Sequence, residues 1–83
     1  MRHQFSIVVE NKAGVLARIL GVFSARGMNI ESLKVEENGQ PGLALITMVS
    51  DGDEAAIERV ARKIEQQVRV LNIRKETYEG QLR

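Results

Sequence analysis

The sequence has no cysteine and no tryptophan, one histidine, one proline, and three aromatic rings (two Phe and one Tyr) in 83 residues. Without cysteine there is no disulfide framework, no thiolate zinc site and no thiol nucleophile. No apolar run approaches the roughly 18 residues that a membrane-spanning helix needs. Met1-Arg2-His3-Gln4 leads straight into an alternating segment, unlike the long apolar stretch of a signal peptide. A charge excess of one sign is also missing: 12 basic against 11 acidic residues leave a formal net charge of +1, which argues against a dedicated nucleic-acid binder. A soluble cytoplasmic domain is expected. At this length the folded chain should keep roughly 5,000 Å² exposed and bury about 60–65% of its extended area. That is one thin core, so any deep cavity has to be completed by a partner subunit.

What is present divides into six segments. Gln4–Glu10 alternates, with Phe5, Ile7 and Val9 on one face, and reads as a half-buried strand. Asn11-Lys12-Ala13-Gly14 has turn chemistry. Leu16, Ile19, Leu20 and Phe23 then fall at i, i+3, i+4 and i+7, which predicts an amphipathic helix from about Gly14 to Arg26 with Gly27 as a left-handed cap. Asn29–Glu37 is a second strand with Leu33 and Val35 inward. Asn38-Gly39 and Pro41-Gly42 punctuate a hairpin into Leu43–Ser50, an apolar and therefore central strand. A second helix follows, capped by Asp51 or Asp53, with Ile57, Val60, Ala61 and Ile64 inward and Glu58 able to pair with Arg62. Val68–Thr77 is the fourth strand, with Leu71 and Ile73 inward. The order βαββαβ predicts an α+β, ferredoxin-like two-layer sandwich, an antiparallel four-stranded sheet with two helices on one face. Strands one and three should be central, and the charged strands two and four should be edges. Residues 1–78 form the domain and 79–83 a tail without a packing pattern.

Catalytic parts are scarce. His3 is the only histidine, and its place near a terminus predicts a solvated side chain. Serines 6, 24, 32 and 50 have no histidine in the pattern to activate them. Asp51 and Asp53 are read as helix caps rather than as a metal pair, so no catalytic or metal-binding residue is assigned. Other uses of the topology fail on specific residues. The loop after strand one has no arginine of the acylphosphatase kind. Strand three, Leu43-Ala44-Leu45-Ile46-Thr47-Met48-Val49-Ser50, offers no ring on which an RNA base could stack, and the paired cysteines of metal chaperones are absent.

The turn before helix one is the candidate site. Glu10-Asn11-Lys12-Ala13-Gly14-Val15-Leu16 leaves a central strand and enters a helix N-terminus through glycine. The first amides of that helix lack internal acceptors and sit at the positive end of its dipole, which suits a small carboxylate. Asn11 offers both a donor and an acceptor. Spacing alone is equally satisfied if Asn11 caps the helix and Gly14 merely turns.

At these residues the sequence resembles the ACT-domain family of amino-acid-sensing modules and, within it, the regulatory (small) subunits of acetolactate synthase (acetohydroxyacid synthase). The resemblance rests on Val9-Glu10-Asn11, Gly14-Val15-Leu16-Ala17-Arg18, Gly21-Val22-Phe23-Ser24 and Arg26-Gly27-Met28-Asn29-Ile30-Glu31-Ser32-Leu33. It implies a non-catalytic chain that binds the catalytic large subunit and confers feedback inhibition by a branched-chain amino acid, usually valine. It also implies that two such domains pair side by side. Asn11 and the backbone of Ala13, Gly14, Val15 and Leu16 would then hold the effector, with Asn29 and Ile30 of the second chain completing the pocket. Asn29 reads alternatively as a polar residue entering an edge strand. Gly21, a mid-helix glycine, reads as a close-packing position at the dimer or effector interface or, equally, against the sheet. The resemblance assigns no cofactor to this chain and expects thiamine diphosphate, Mg and FAD on the catalytic partner. It covers the first of the two small domains found in family members of the common type. A free-standing ACT sensor with another effector and partner, and a ligand-free assembly module, are the alternative readings.

Overall fold

A computed structural model describes residues 2–37 and 39–78. The alternating first segment forms β1 (Arg2–Glu10), whose inward phase buries His3, Phe5, Ile7 and Val9. The element order continues with α1 (Val15–Ala25), β2 (Asn29–Glu37), β3 (Leu43–Asp51), α2 (Glu54–Glu65) and β4 (Val70–Tyr78). The sheet is antiparallel throughout, in the order β2-β3-β1-β4, so the apolar strands are central and the charged ones are edges, as expected. Phe5 lies opposite Met48, Ile7 opposite Ile46 and Val9 opposite Ala44, and this face carries both helices. Phe5 and Phe23 meet edge to face, with ring centroids 5.1 Å apart and an interplanar angle of 87°. Such a pair adds about 0.5–1.5 kcal/mol to the burial of the two rings. The molecule measures 35 × 26 × 16 Å and exposes 5325 Å², the thin core that chain length predicts.

The helices differ in how they are held. In α2 the Asp53 carboxylate accepts from the Ala56 amide at 2.8 Å, so Asp53 is the cap, and Ile57, Val60, Ala61 and Ile64 are all buried. Glu58 does not serve its own helix. It reaches β4 and pairs with Lys75 at 3.0 Å. The buried row of α1 is Val15, Ile19 and Phe23, with Leu16 and Leu20 only partly covered. At its end the Gly27 amide donates to the Ser24 carbonyl and the Met28 amide to the Phe23 carbonyl, a Schellman closure that requires Gly27 at φ +68° and buries Met28.

Three sequence expectations need correction. His3 is fully buried, with its Nε2 3.3 Å from the Gly52 carbonyl oxygen. It shares the inward phase of Phe5, Ile7 and Val9 at the covered end of a central strand. Leu33 and Val35 do face the helix side, opposite Met48 and Ile46, yet they remain 42% and 47% exposed because β2 is an edge. Leu71 is exposed too. The chain turns through Gln67–Arg69 before β4 begins at Val70, and a register shift opposite Val8/Val9 puts Val70 and Ile73, not Leu71, against the core. The tail assigned to residues 79–83 lies outside the described residues.

Candidate functional site

The turn between β1 and α1 is fastened by backbone, leaving its side chains free. The Asn11 amide donates to the Gly42 carbonyl at 2.8 Å, the Lys12 amide to Glu10 at 2.9 Å, and the Val15 amide to Lys12 at 3.3 Å. Glu10 is clamped to the chain before β4: its amide donates to the Arg69 carbonyl, and its carboxylate accepts from the Arg69 guanidinium, both at 2.9 Å. Nothing in the sequence marks Arg69 as the brace of this turn, since the two residues are far apart in the chain.

Asn11 does not cap the helix. The N-cap is Gly14, in the left-handed region at φ +87°, and no side chain closes the helix start. This removes the capping explanation of Asn11, whose exposed side chain has no hydrogen-bond partner among the described residues. The Arg18 amide is satisfied by the Gly14 carbonyl, while the Leu16 and Ala17 amides have no acceptor among the described residues. Free amides at a positive helix end, beside an uncommitted carboxamide, can receive a carboxylate. A β-carbon built on Gly14 would meet no atom within 4 Å, so the space beside this glycine is open.

Asn29 and Ile30 lie at the other end of the sheet. Asn29 pairs with Asp51 at the end of β3, whereas the turn sits beside Leu43 at its start, since Glu10 pairs with Leu43. The nine residues of β3 separate the two by about 27 Å. Asn29 is exposed and its carbonyl accepts the Ser50 hydroxyl at 2.8 Å, while Ile30 packs partly against the core. The chain therefore gathers Asn11, Ala13, Gly14, Val15 and Leu16 into one turn, with Val15 buried, but does not bring Asn29 and Ile30 to them. Gly21 does not pack against the sheet: it is exposed, and a β-carbon there would touch nothing within 4 Å.

Residues 5–72 match the family described as the AHAS small subunit-like ACT domain. The chain belongs to that family. It is 40% identical over 73 residues to the acetolactate synthase isozyme 3 small subunit of Escherichia coli K12, covering 88% of this chain and 45% of the relative. A probable acetolactate synthase small subunit of Methanothermobacter thermautotrophicus is 38% identical over 72 residues, covering 87% and 43% respectively. The crystal structure of the acetolactate synthase small subunit from Thermotoga maritima superposes with a TM-score of 0.81 at 32% identity, over 90% of this chain and 47% of that one. The chain thus spans a little under half the length of the curated relatives it matches. The ACT domain of a GTP pyrophosphokinase from Chlorobium tepidum, 19% identical with a TM-score of 0.77 over 92% of this chain and 97% of that one, shares the fold.

Proposed function

We propose that the chain is a non-catalytic regulatory subunit of acetolactate synthase. It binds a branched-chain amino acid, valine in the first instance, between two copies of itself and conveys that binding to the catalytic large subunit. The names of its relatives support the subunit assignment. The observation that carries the effector site is the division of its residues between opposite ends of one sheet. Antiparallel pairing of β2 with β2 of a second copy, centred on Leu33, sets Asn29 of that copy opposite Glu37. Glu37 pairs with Ala44, beside the Leu43–Glu10 pair that ends at the turn. Two copies paired in this way complete at each end a pocket that one copy cannot form. The β2 edge suits such pairing, since Leu33 and Val35 are exposed beside the partly covered Leu16 and Leu20.

In this arrangement the free amides and Asn11 take the zwitterion, and Ile30 contributes apolar wall for a branched side chain. Thiamine diphosphate, Mg and FAD belong, on this reading, to the catalytic subunit. An effector that prefers one arrangement of the pair alters the large subunit's equilibrium, and by linkage the large subunit alters effector affinity equally.

The test is calorimetric titration with valine, leucine, isoleucine and serine, followed by pull-down of an acetolactate synthase large subunit and assay of its activity with and without valine. Heat with a branched-chain amino acid and valine-sensitive activity of the complex are expected. Heat only with serine would make this a sensor of another kind. No heat with any of the four would make it an assembly module.

A further inference from the structure

The ion pairs among the described residues are unevenly distributed. Arg2–Glu31, Lys34–Glu36, Arg69–Glu10 and Lys75–Glu58 all lie along the sheet or between α2 and β4. On the outer side, α1 and α2 enclose a shallow groove of about 340 Å³ lined by Arg18, Gly21, Val22, Ala25, Arg26 and Lys63. None of its three cations has a carboxylate partner among the described residues. Sequence explains why. Helix α1 contains no acidic residue, so Arg18 and Arg26 have no partner one turn away, and Lys63 follows Arg59 at i+4, a like-charge spacing that costs helix stability. Arg18 and Arg26 stand eight positions apart, about 12 Å along the helix, with only Gly21, Val22 and Ala25 of the lining between them. Gly21 costs an exposed helix about 1 kcal/mol relative to alanine and opens onto empty space. The result is an apolar floor rimmed by three unpaired positive charges.

We propose that this groove docks an acidic amphipathic segment of the catalytic subunit, with its carboxylates on Arg18, Arg26 and Lys63 and its apolar side chains over Gly21, Val22 and Ala25. The identity of the partner rests on the function proposed above, whereas the chemistry of the segment rests on the groove. Of the groove's cations, Arg26 and Lys63 lie away from the β1–α1 turn, so docking can be altered through them without touching the effector site.

Two measurements on the full chain separate these layers. The first is fluorescence anisotropy with a labelled synthetic helix of about 14 residues, long enough to span the groove, bearing glutamates flanking a leucine stripe. Binding to the unaltered chain is expected. It should weaken about tenfold in Arg26→Glu/Lys63→Glu and in Gly21→Leu, which fills the floor, and should fall as salt rises from about 0.05 to about 0.5 M. Arg26→Gln/Lys63→Gln, milder for folding, should show a smaller loss in the same direction. No binding, or equal binding by all variants, overturns the proposal. So does equal binding of a polyglutamate peptide without leucine. The second measurement is capture of the large subunit. Capture by the unaltered chain that drops about tenfold on charge reversal, with valine heat unchanged, is expected. Undiminished capture by the reversed variant overturns the assignment of the segment to that subunit. Failure of capture by the unaltered chain counts against the proposed function, and the peptide result then decides whether the groove stands.

Discussion

The Ser50 hydroxyl donates to the Asn29 carbonyl at 2.8 Å, joining the buried end of β3 to the first residue of the edge strand. Ser50 is flanked in register by His3 on β1 and Ile30 on β2, so this one bond fixes where β2 starts and how Asn29 is presented. Ser50→Ala removes the donor of this part-buried bond and is expected to lower stability by about 1 kcal/mol. Urea unfolding measures it, and an unchanged midpoint would mean that the bond holds nothing. Effector affinity should fall less than in Asn29→Ala, since the side chain itself is kept.

Gly14 is needed for its backbone and not for space. Its φ of +87° and the empty volume beyond it predict that Gly14→Ala costs about 1 kcal/mol in unfolding free energy while still binding the effector. Gly14→Asp should carry a similar folding cost and also abolish valine binding, because its carboxylate competes for the same free amides. Calorimetry beside thermal unfolding separates the two effects. Valine affinity preserved in the aspartate variant would remove the turn from the site.

Asn11 gives the opposite pattern. Its amide fastens the turn to Gly42, but its side chain touches no hydrogen-bond partner among the described residues. Asn11→Ala should therefore leave stability within about 0.5 kcal/mol, and weaken effector binding by roughly 1–3 kcal/mol, the range for a lost polar contact to a bound ligand. A matched loss of stability in urea would show that Asn11 is structural.

The elements were legible in the sequence because their periods are clean. The alternation of Phe5, Ile7 and Val9 and the 57, 60, 61, 64 stripe both reach the core as read. Two of the errors share one cause, which is that period reports the face a residue points to but not whether anything covers it. Leu33 and Val35 have the inward phase on an edge that α1 covers incompletely, and His3 has it under cover at a strand end. Leu71 failed because a bulge shifts phase by one residue without leaving a mark in composition. The turn residues of the candidate site were legible as a string, but the Glu10–Arg69 clamp was not, since a contact between distant residues has no local pattern. That Asn11 and Asn29 occupy opposite ends of the sheet emerges only from strand order.

The β2 edge yields the remaining prediction. Eight of its nine residues are exposed, and among them Leu33 and Val35 keep apolar area in solvent on the side where α1 ends its cover. A lone domain gains nothing from this exposed apolar area, whereas pairing with a second copy would cover it. Leu33→Lys/Val35→Lys removes this apolar area, and in a pairing centred on Leu33 the lysine at that position faces its own copy across the two-fold axis, a like-charge contact that opposes strand pairing. Because both side chains are already nearly half exposed, folding of the single chain should be little affected. Sedimentation or light scattering should show a dimer for the unaltered protein and a monomer for the double variant, with far-ultraviolet circular dichroism unchanged. The monomer should also lose valine binding although Asn11, Gly14 and Asn29 are all intact, because each copy then holds only one end of two separate pockets. A monomeric variant that still binds valine with full affinity would place the effector wholly within one chain and contradict the shared site.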